Sequence, residues 1–542
     1  MGFNSTGRGL ILFLIFASNL FGSVPKDLSF FDDKPRSLTK DFYIYRYLKE
    51  PTTTSKEAEK LLGMTSRMSM SLFHAFAKKI DDEGFKKVSK CLKMKLKPLL
   101  NSDNECLAIG FNLYNATKLD KNELKKVEKK LADYGISKAL HVLYADDPFV
   151  ALSDTNTTQF FTIFNGVGSK YREEFFDHEV SEKKIKELEK DWNINSTIKY
   201  IVTDRKLKNI NKSLIKIDRS SPKLTHESLF FLGLNALELR YKKLAMAFFD
   251  ESYKKAYYRM DKDKVLFWQF LVSKDKKYKD EIAKSFDINI YTLLCGIENK
   301  NIVVPIANGK HPTYDETDPF GWTNLLRQVK NKSPEELKKI ADTYKYANTL
   351  PIYSFLMERS SGYKKHYFPI PYKEYLKTKD NRKIALTMAI ARQESRLIPS
   401  ALSHSYALGM MQFMPFLARA IAKQEKIKNF DLDDMFNPKT ALNFANIHIG
   451  WLEKSLYTPI FIAYAYNGGI GFTKKLLLSG SFRKGKYEPF LSMELVNYDE
   501  SRKYGKKVLA NYVTYMQILD EKVSVYKLFE DLTDPSKTDR FR

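Results

Sequence analysis

A chain of 542 residues is several times longer than one ordinary domain, so we expect a large buried core and more than one folding unit. It has 90 Lys and Arg against 65 Asp and Glu, and this net charge of +25 indicates an anionic partner or environment. The sequence has no zinc-ligand pattern, no RNA-binding aromatic signature and no dense basic arm, so we do not expect a nucleic-acid partner.

The first residues have the pattern of a secretory signal peptide. Arg8 precedes an apolar run over 10–17, and the small residues Gly22 and Ser23 follow it. The run is too short to cross a bilayer comfortably, and the sequence has no second segment of membrane length. We therefore expect residues 1–23 to be removed on export, with no integral membrane segment in the mature chain.

Residues 24–300 show the pattern of helix after helix. Helical periodicity is clear over 122–134, 180–191 and 226–258, whereas strand-like alternation is limited to short stretches such as 198–203. No fixed repeat period is visible, so degenerate helix pairs stacked into a curved superhelix fit this region best. Most aromatic residues at helical spacing are expected to lie in its core.

The stretch 301–372 interrupts that pattern with several prolines and glycines and is predicted to be a helical linker region. Ser333-Pro334-Glu335-Glu336 is typical of a helix start, with a capping serine, a proline in the first turn and an acid three residues after the serine. A second α-rich domain is predicted over 373–525, followed by a C-terminal tail over 526–542.

Glu394 stands at the margin of an apolar helical stripe that runs from Leu386 to Leu397 at three- and four-residue spacing. Burial against apolar surface raises the pKa of a carboxyl group, because desolvation disfavours the ionised form. A carboxylic acid still protonated near neutral pH is what a general acid requires. Most helical glutamates are instead solvated and paired with a nearby base such as Arg392, so position alone does not decide the role of Glu394.

Four sequence blocks near and after Glu394 favour catalysis. They are Glu-Ser at 394–395 with Ser403, Gly-Met-Met-Gln-Phe-Met-Pro at 409–415, Ala-Tyr-Asn-Gly-Gly at 465–469, and Glu-Ser-Arg-Lys-Tyr at 500–504 with Val508 and Leu509. In this order and spacing the chain resembles the soluble murein transglycosylase family of lysozyme-like lytic transglycosylases. The resemblance is specific over about residues 380–515.

The sequence departs from the family pattern at several positions. Tyr406 stands where the family usually has Gly, and Phe416-Leu417 stand where it usually has Gly-Thr. Met410 replaces Leu, and Gly468 stands at the Ala of the third block. The change at Tyr406 could alter the loop that delivers Ser403, but none of the changes removes a residue expected to do chemistry.

The resemblance implies an all-α fold, with a large ring-like superhelical body over 24–300 and a lysozyme-like catalytic domain over 373–525. It implies a peptidoglycan lytic transglycosylase in which Glu394 is the single catalytic residue. As acid, Glu394 protonates the oxygen that leaves N-acetylmuramic acid at its β-1,4 bond to N-acetylglucosamine. As base, it takes the proton of the C6 hydroxyl, which closes a 1,6-anhydro ring without consuming water.

Other matched positions are expected to bind the substrate: Ser403, Met411, Gln412, Met414, Tyr466, Asn467, Glu500 and Tyr504. Ser403 would donate a hydrogen bond to the N-acetyl group or the reacting hydroxyl, and Gln412 and the pair Met411 and Met414 would line sugar subsites. Met411 could instead pack in the core, because methionine is a common gap filler. Glu500 could hold the hydrogen-bond network of the site, or form a structural pair with Arg502.

Neither a metal nor another cofactor is expected, because the eight His and three Cys residues have no ligand spacing. An exported protein could pair Cys91 with Cys106, which would leave Cys295 as a free thiol.

The resemblance also implies a periplasmic monomer. Its substrate would be glycan strands with peptide stems, and cell-wall synthesis proteins would be its partners.

Two alternatives stay open. A hydrolytic muramidase would need a second carboxylate to activate water, for which Glu425, Asp431, Asp433 and Asp434 are candidates, although their polar segment favours solvated charges. A non-catalytic helical scaffold could bind the cell wall through its basic face, but the complete set of matched blocks around Glu394 disfavours it.

Overall fold

The computed structural model of the chain describes residues 25, 27–298 and 301–542, and nearly all regular structure in them is helical. The all-α prediction is therefore confirmed. The predicted signal peptide, residues 1–23, lies outside the described residues. Within the described part of the chain, every helix is too short or too polar to cross a membrane.

The first twenty α-helices precede residue 295. They are α1 (Leu38–Tyr47), α2 (Ser55–Met64), α3 (Met70–Phe76), α4 (Glu83–Lys93), α5 (Leu96–Leu100), α6 (Asn104–Gly110), α7 (Leu113–Ala116), α8 (Lys121–Lys130), α9 (Ser137–Tyr144), α10 (Pro148–Ser153), α11 (Thr157–Gly166), α12 (Ser169–Tyr171), α13 (Glu182–Leu188), α14 (Ile194–Thr203), α15 (Ile210–Ser213), α16 (His226–Glu238), α17 (Lys242–Lys255), α18 (Arg259–Ser273), α19 (Lys276–Ile282) and α20 (Ile290–Leu294).

Two short strands and twelve further α-helices follow in the described residues. They are β1 (Ile302–Val303), α21 (Pro319–Gln328), α22 (Pro334–Thr343), α23 (Leu350–Ser360), β2 (His366–Tyr367), α24 (Asn381–Ser395), α25 (Pro415–Gln424), α26 (Pro438–Glu453), α27 (Pro459–Gly468), α28 (Ile470–Leu478), α29 (Phe490–Glu494), α30 (Asp499–Ile518), α31 (Val525–Asp531) and α32 (Pro535–Thr538).

Tighter or wider helical turns complete the described backbone. Short 3-10 helices cover Leu28–Phe31, Leu214–Lys216, Ala347–Thr349, Lys373–Tyr375 and Leu432–Phe436, and a π-helix covers Arg172–Phe176. β1 and β2 form a two-stranded sheet, in which the N–H of His366 donates to the carbonyl of Asn301 at 2.9 Å.

Local sequence sets the start of several helices. The predicted start of α22 is confirmed, because Ser333 and Glu336 form a reciprocal capping box and Pro334 occupies the first turn. Capping boxes also begin α2 and α8, and the predicted helix over 122–134 is largely α8.

One sequence expectation needs correction and another gains detail. Residues 198–203 belong to α14 and are not a strand, because Ile194, Ile198, Ile201 and Val202 recur at helical spacing and are all buried. The helical pattern predicted over 226–258 is confirmed and comprises two helices, since the chain turns between α16 and α17, where Arg240 has a positive φ of 68°.

The chain divides into two compact units. The first comprises the described residues up to Asp81 together with Val304–Tyr363 and Tyr367–Gly450. The second comprises Asp82–Val303, Lys364–His366 and Trp451–Arg542. Each unit combines early and late segments of the sequence, and the domain boundaries predicted above stay predictions.

Consecutive helices pack as pairs in the second unit. Phe230 of α16 lies 5.7 Å from Phe249 of α17 and 6.2 Å from Trp268 of α18, measured between ring centroids, and all three rings are buried. A Cβ at Gly233 would lie 2.4 Å from the Phe249 ring, so glycine permits this close helix approach. In the same unit a disulfide joins Cys91 of α4 to Cys106 of α6.

Candidate active site

Glu394 lies one residue before the C-terminal end of α24. Asp380 caps the other end of this helix by accepting the N–H of Arg382 at 2.9 Å. Residues 384–391 are all buried, whereas Glu394 is half-buried. The helix therefore holds a carboxyl group at the margin of an apolar stripe, where the sequence pattern places it.

A buried acid holds the two arginines on either side of Glu394. Glu358 of α23 is 2% exposed and accepts from Arg392 Nη2 at 2.5 Å. Its other carboxylate oxygen pairs with Arg396 Nη1, and its Oε1 also accepts the N–H of Tyr367 at 2.9 Å. The Arg392 guanidinium stacks over the ring of Phe368, with 4.1 Å to the centroid. The end of α24 is thus tied to α23.

The chain reverses direction immediately after Glu394. Arg396 and Leu397 have positive φ angles of 56° and 67°, which end the helix. Ser395 Oγ donates to the carbonyl of Met410 at 2.8 Å. This bond fixes the end of α24 against the loop that contains the second sequence block.

Ser403 forms a tight turn in that loop. Its Oγ accepts the N–H of Ala407 at 2.9 Å and that of Ser405 at 3.3 Å, and its own N–H donates to the Ala407 carbonyl at 3.0 Å. The side chain is half-buried. Ser403 Oγ thus accepts hydrogen bonds from the backbone, and its hydroxyl hydrogen is available for donation.

Gly409 and Gln412 stabilise the next turn. A Cβ at Gly409 would lie 2.0 Å from the carbonyl oxygen of Met435, and φ is 72°, so only glycine fits. Gln412 Nε2 donates to the carbonyls of Gly409 at 2.8 Å and Ala401 at 3.2 Å. Gln412 therefore fixes the shape of the loop through its amide group.

The two methionines predicted to line sugar subsites differ in burial. Met411 is fully buried, so it packs in the core, as the alternative interpretation of this residue expected. Met414 is half-buried at the start of α25. Of the two methionines, Met414 is therefore the one with exposed surface that a ligand could contact.

Tyr406 shows why the family usually has glycine at this position. Its φ is 63°, in the region that favours glycine, yet its side chain is only 4% exposed. The ring lies 5.5 Å from Phe42 and 5.3 Å from Tyr45, both on α1. Packing against α1 thus compensates for the strained backbone and fixes the turn that contains Ser403.

The third and fourth sequence blocks form a separate hydrogen-bonded group in the second unit. Asn467 Nδ2 donates to Glu500 Oε1 at 2.9 Å, and Ser501 Oγ donates to Asn467 Oδ1 at 2.6 Å. The Tyr498 hydroxyl donates to the other oxygen of Glu500 at 3.2 Å. Glu500 thus joins the end of α27 to the start of α30, and its side chain is exposed.

Gly468, the departure in the third block, has a local explanation. A Cβ there would lie 2.7 Å from Ser501 Oγ and 2.7 Å from the ring of Phe472, so these neighbours favour glycine at this position.

The two matched tyrosines differ in burial. Tyr466 is half-buried, whereas Tyr504 is 5% exposed.

The predicted site residues therefore fall into two groups. Glu394, Ser403, Met411, Gln412 and Met414 lie in the first unit, and Tyr466, Asn467, Glu500 and Tyr504 lie in the second. Among the described residues, no group of three His, Cys, Asp or Glu side chains is placed to hold a metal ion.

The carboxylates proposed for a muramidase have other partners. Arg46 of α1 donates to Asp433 at 2.6 Å and to both oxygens of Asp431 at 2.8 and 2.7 Å. Asp434 accepts the N–H of Asp431 at 2.8 Å, and Glu425 is exposed. Contrary to the expectation of solvated charges, the Asp433 side chain is only 9% exposed, because α1 covers it.

Glu358 and Arg46 were not identified from the sequence. Each pairs with residues far along the chain, and neither belongs to a motif. The only available signal was an acid at the end of the apolar segment Leu-Pro-Ile-Tyr-Ser-Phe-Leu-Met-Glu over 350–358. A charge in such a context requires a buried partner.

Residues 372–487 match the family model of the transglycosylase SLT domain. The chain is 27% identical over 224 residues to the soluble lytic murein transglycosylase of Escherichia coli strain K12, which covers 40% of this chain and 34% of that protein. It is 26% identical over 214 residues to the Salmonella typhimurium protein of the same name, covering 38% and 32%. The chain thus matches about a third of the length of these curated relatives.

Two solved structures are also similar. The 70-kDa soluble lytic transglycosylase from Escherichia coli aligns at 15% identity with a TM-score of 0.45, covering 93% of this chain and 88% of that chain. An inactive mutant of the lytic transglycosylase Slt from Pseudomonas aeruginosa gives the same identity and TM-score, covering 92% and 75%.

Proposed function

We propose that the protein is a peptidoglycan lytic transglycosylase, because residues 372–487 match the transglycosylase SLT domain and the chain is similar to soluble lytic murein transglycosylases. It cleaves the β-1,4 bond between N-acetylmuramic acid and N-acetylglucosamine and leaves a 1,6-anhydromuramic end, for turnover and remodelling of the cell wall. The observation that carries this proposal is the half-buried Glu394 at the end of α24, inside the matched domain.

Glu394 acts first as a general acid. Its carboxyl proton goes to the glycosidic oxygen, the C1–O bond breaks, and positive charge develops at C1 of the muramic acid. The N-acetyl group of the substrate stabilises that charge. Glu394 is then a carboxylate and takes the proton of the C6 hydroxyl, whose oxygen forms the new bond to C1. The acid is regenerated and no water is consumed.

Other residues of the matched blocks, together with Glu358, position the reactants. The half-buried turn at Ser403 leaves its hydroxyl hydrogen free to donate to the N-acetyl group or the C6 oxygen. Glu358 holds the helix end that bears Glu394, and Gln412 maintains the loop beside it. We assign Met414, Tyr466, Asn467, Glu500 and Tyr504 to substrate contacts or to their support. Met411 supports the site from the core.

The test is mass spectrometry of purified peptidoglycan digested by the wild-type protein and by Glu394→Gln. We expect products ending in 1,6-anhydromuramic acid from the wild type and none from the variant, because an amide cannot donate and retrieve the proton. Glu425→Gln is the matched control, since it makes the same change at an exposed glutamate of the same domain and should keep full activity.

Two results would reject the proposal. Reducing-end products, heavier by one water, would mean hydrolysis by a muramidase. An absence of products from the wild type, with binding to the cell wall retained, would favour the non-catalytic scaffold.

We further propose that the protein acts in the periplasm as a monomer on glycan strands with peptide stems, in contact with cell-wall synthesis proteins. The signal-peptide pattern over 1–23 supports this location, and the basic composition suits an anionic substrate. Fractionation of cells that express the tagged chain tests it. Recovery from the cytosol alone, with residues 1–23 intact, would contradict it.

A further inference from the structure

The second unit contains a cavity of about 1090 Å³ that the proposed chemistry does not use. Its walls come from 169–173, 203–206, 237–242 and 472–497. Pockets that enclose small ligands have volumes of roughly 300–1,000 Å³, so this cavity can accommodate a ligand the size of a short peptide.

The cavity has an excess of positive charge that the protein does not neutralise. Eight Lys or Arg and four Asp or Glu line it. Three of these acids form ion pairs with two of the bases. Arg205 pairs with Glu238 at 3.1 Å and with Glu488 at 3.0 Å, and Lys206 pairs with Glu173 at 3.0 Å.

The other six bases are exposed, and in the described part of the chain none of them forms an ion pair. They are Arg240, Lys242, Lys475, Arg483, Lys484 and Lys486. Asp204 is the remaining acid. It accepts the N–H of Lys206 at 3.4 Å and forms no ion pair with a described residue. The cavity thus offers six separated cations and one carboxylate to a ligand.

The wall formed by the 479–488 loop is held in place. Phe482 is fully buried, its ring lies 5.0 Å from that of Phe461, and its N–H donates to Ser492 Oγ at 2.8 Å. Arg542 donates to the Phe482 carbonyl at 3.0 Å. The bases of this loop therefore project from a supported backbone, and the ion pair of Arg205 with Glu488 ties the loop to the opposite wall.

We propose that this cavity binds the peptide stems of peptidoglycan through their carboxylates, an inference that rests on the proposed function. A stem carries several separated carboxylates and one free amine on its diamino acid. That pattern complements the six cations and Asp204. A chain of phosphates has no amine for Asp204 and would be repelled by it, which favours the peptide. The cavity then selects strands that bear stems.

The binding test is calorimetric titration of the full chain with a stem tetrapeptide acetylated at its N-terminus, N-acetyl-L-alanyl-γ-D-glutamyl-meso-diaminopimelyl-D-alanine, because that amine is an amide in the attached stem. The test variant combines Lys242→Glu, Lys475→Glu and Lys484→Glu. The control combines Lys126→Glu, Lys129→Glu and Lys190→Glu, three exposed lysines of the same unit outside the cavity, so the net charge changes equally. We expect Kd to rise at least about tenfold in the test variant and to stay unchanged in the control.

Three outcomes of the titration would overturn the inference. They are equal affinity in the wild type and the test variant, equal weakening by the control, and binding of inorganic phosphate as tight as that of the tetrapeptide. The last would make the cavity a general anion site. Thermal melting of both variants establishes that they are folded.

Catalysis separates this inference from the proposed function. The measured quantity is the ratio of kcat/KM on stem-bearing glycan to kcat/KM on glycan stripped of its stems by an amidase. We expect this ratio to fall at least about tenfold in the test variant only. If the test variant is active and this ratio is unchanged, the assignment of the cavity is rejected and the proposed function is not. Failure of the wild type to cleave either glycan would reject the proposed function, while the titration would still report on the cavity.

Discussion

At the residue scale, the environment of Glu394 depends on how its neighbouring charges are neutralised. Arg392 and Arg396 flank Glu394 in sequence, and both guanidinium groups pair with Glu358. Glu358 is almost completely buried, and a buried charge is retained only when it is paired. Its carboxylate therefore orients the last turn of α24 and offsets two positive charges near the proposed acid. We regard Glu358 as a positioning residue.

We expect Glu358→Gln to lower kcat at least about tenfold with a smaller change in KM, because a small displacement of the acid reduces reaction more than binding. The two arginines would also lack their counter-charge. Unneutralised positive charge favours the ionised form of a nearby carboxyl group, so the alkaline limb of the pH–rate profile should move to lower pH. Steady-state kinetics across pH on purified glycan measures both effects.

Glu335→Gln is the control for this experiment, because Glu335 is an exposed glutamate of the same unit. A merely structural role for Glu358 would lower the melting temperature and leave the shape of the pH–rate profile unchanged. An unshifted profile in a folded variant would therefore contradict the positioning role.

At the element scale, α1 covers part of the segment that matches the SLT domain. Tyr406 packs on Phe42 and Tyr45 of α1, and Arg46 of the same helix pairs with Asp431 and Asp433. Burial raises the pKa of Asp433 to about 7, although Arg46 beside it acts in the opposite direction. A helix at the start of the described chain thus stabilises both the Ser403 turn and the 3-10 helix Leu432–Phe436.

We expect Arg46→Gln to destabilise the first unit, and more strongly at alkaline than at acid pH. Without Arg46 the pKa of Asp433 in the folded state rises further. Over a wider pH range, the folded state then keeps a proton on Asp433 that the unfolded state has already released. The contribution of such a carboxyl group to stability falls as pH rises through its folded pKa. The loss should be about 3 kcal/mol near pH 8 and smaller near pH 5, measured by urea unfolding.

The double variant Arg46→Gln, Asp433→Asn isolates the cause. It has no buried charge at position 433, so the added pH dependence should disappear while a packing loss remains. If Arg46→Gln lost the same free energy at both pH values, the buried carboxylate would not be the source of the instability.

At the scale of the whole molecule, we expect charge to govern how the protein meets its proposed substrate, peptidoglycan. The excess of 25 positive charges is distributed over many helices, and the second unit concentrates unpaired bases in one cavity. Peptidoglycan carries carboxylates on its stems and lactyl groups. Attraction between the two extends over about one Debye length, about 10 Å at 0.1 M salt.

We therefore expect binding of the Glu394→Gln variant to isolated cell-wall sacculi to weaken steeply as NaCl increases from about 0.05 to about 0.5 M, because salt screens exposed charges. Sedimentation of the sacculi with the variant measures the bound fraction and avoids cleavage. Chitin, an uncharged β-1,4 glycan, is the comparison polymer and should show little dependence on salt. Equal salt dependence on both polymers would contradict an electrostatic origin.

The sequence by itself determined what depends on neighbours along the chain. The capping box of Ser333 and Glu336 is made by residues three apart, so it can be recognised without tertiary structure. The apolar spacing that leaves Glu394 at a buried margin is equally local, as is the order of the four sequence blocks. The all-α class follows from the same periodicity, repeated through the chain.

Only the tertiary structure decided which distant residues meet. Glu358 and Arg392 are 34 residues apart, and Arg46 and Asp433 are 387 apart, so no spacing rule links either pair. Likewise, 198–203 alternates like a strand, but burial of the helical face containing Ile198, Ile201 and Val202 makes it part of α14. Caps and periodicity come from hydrogen bonds within a few residues, whereas ion pairs and buried faces depend on how helices pack.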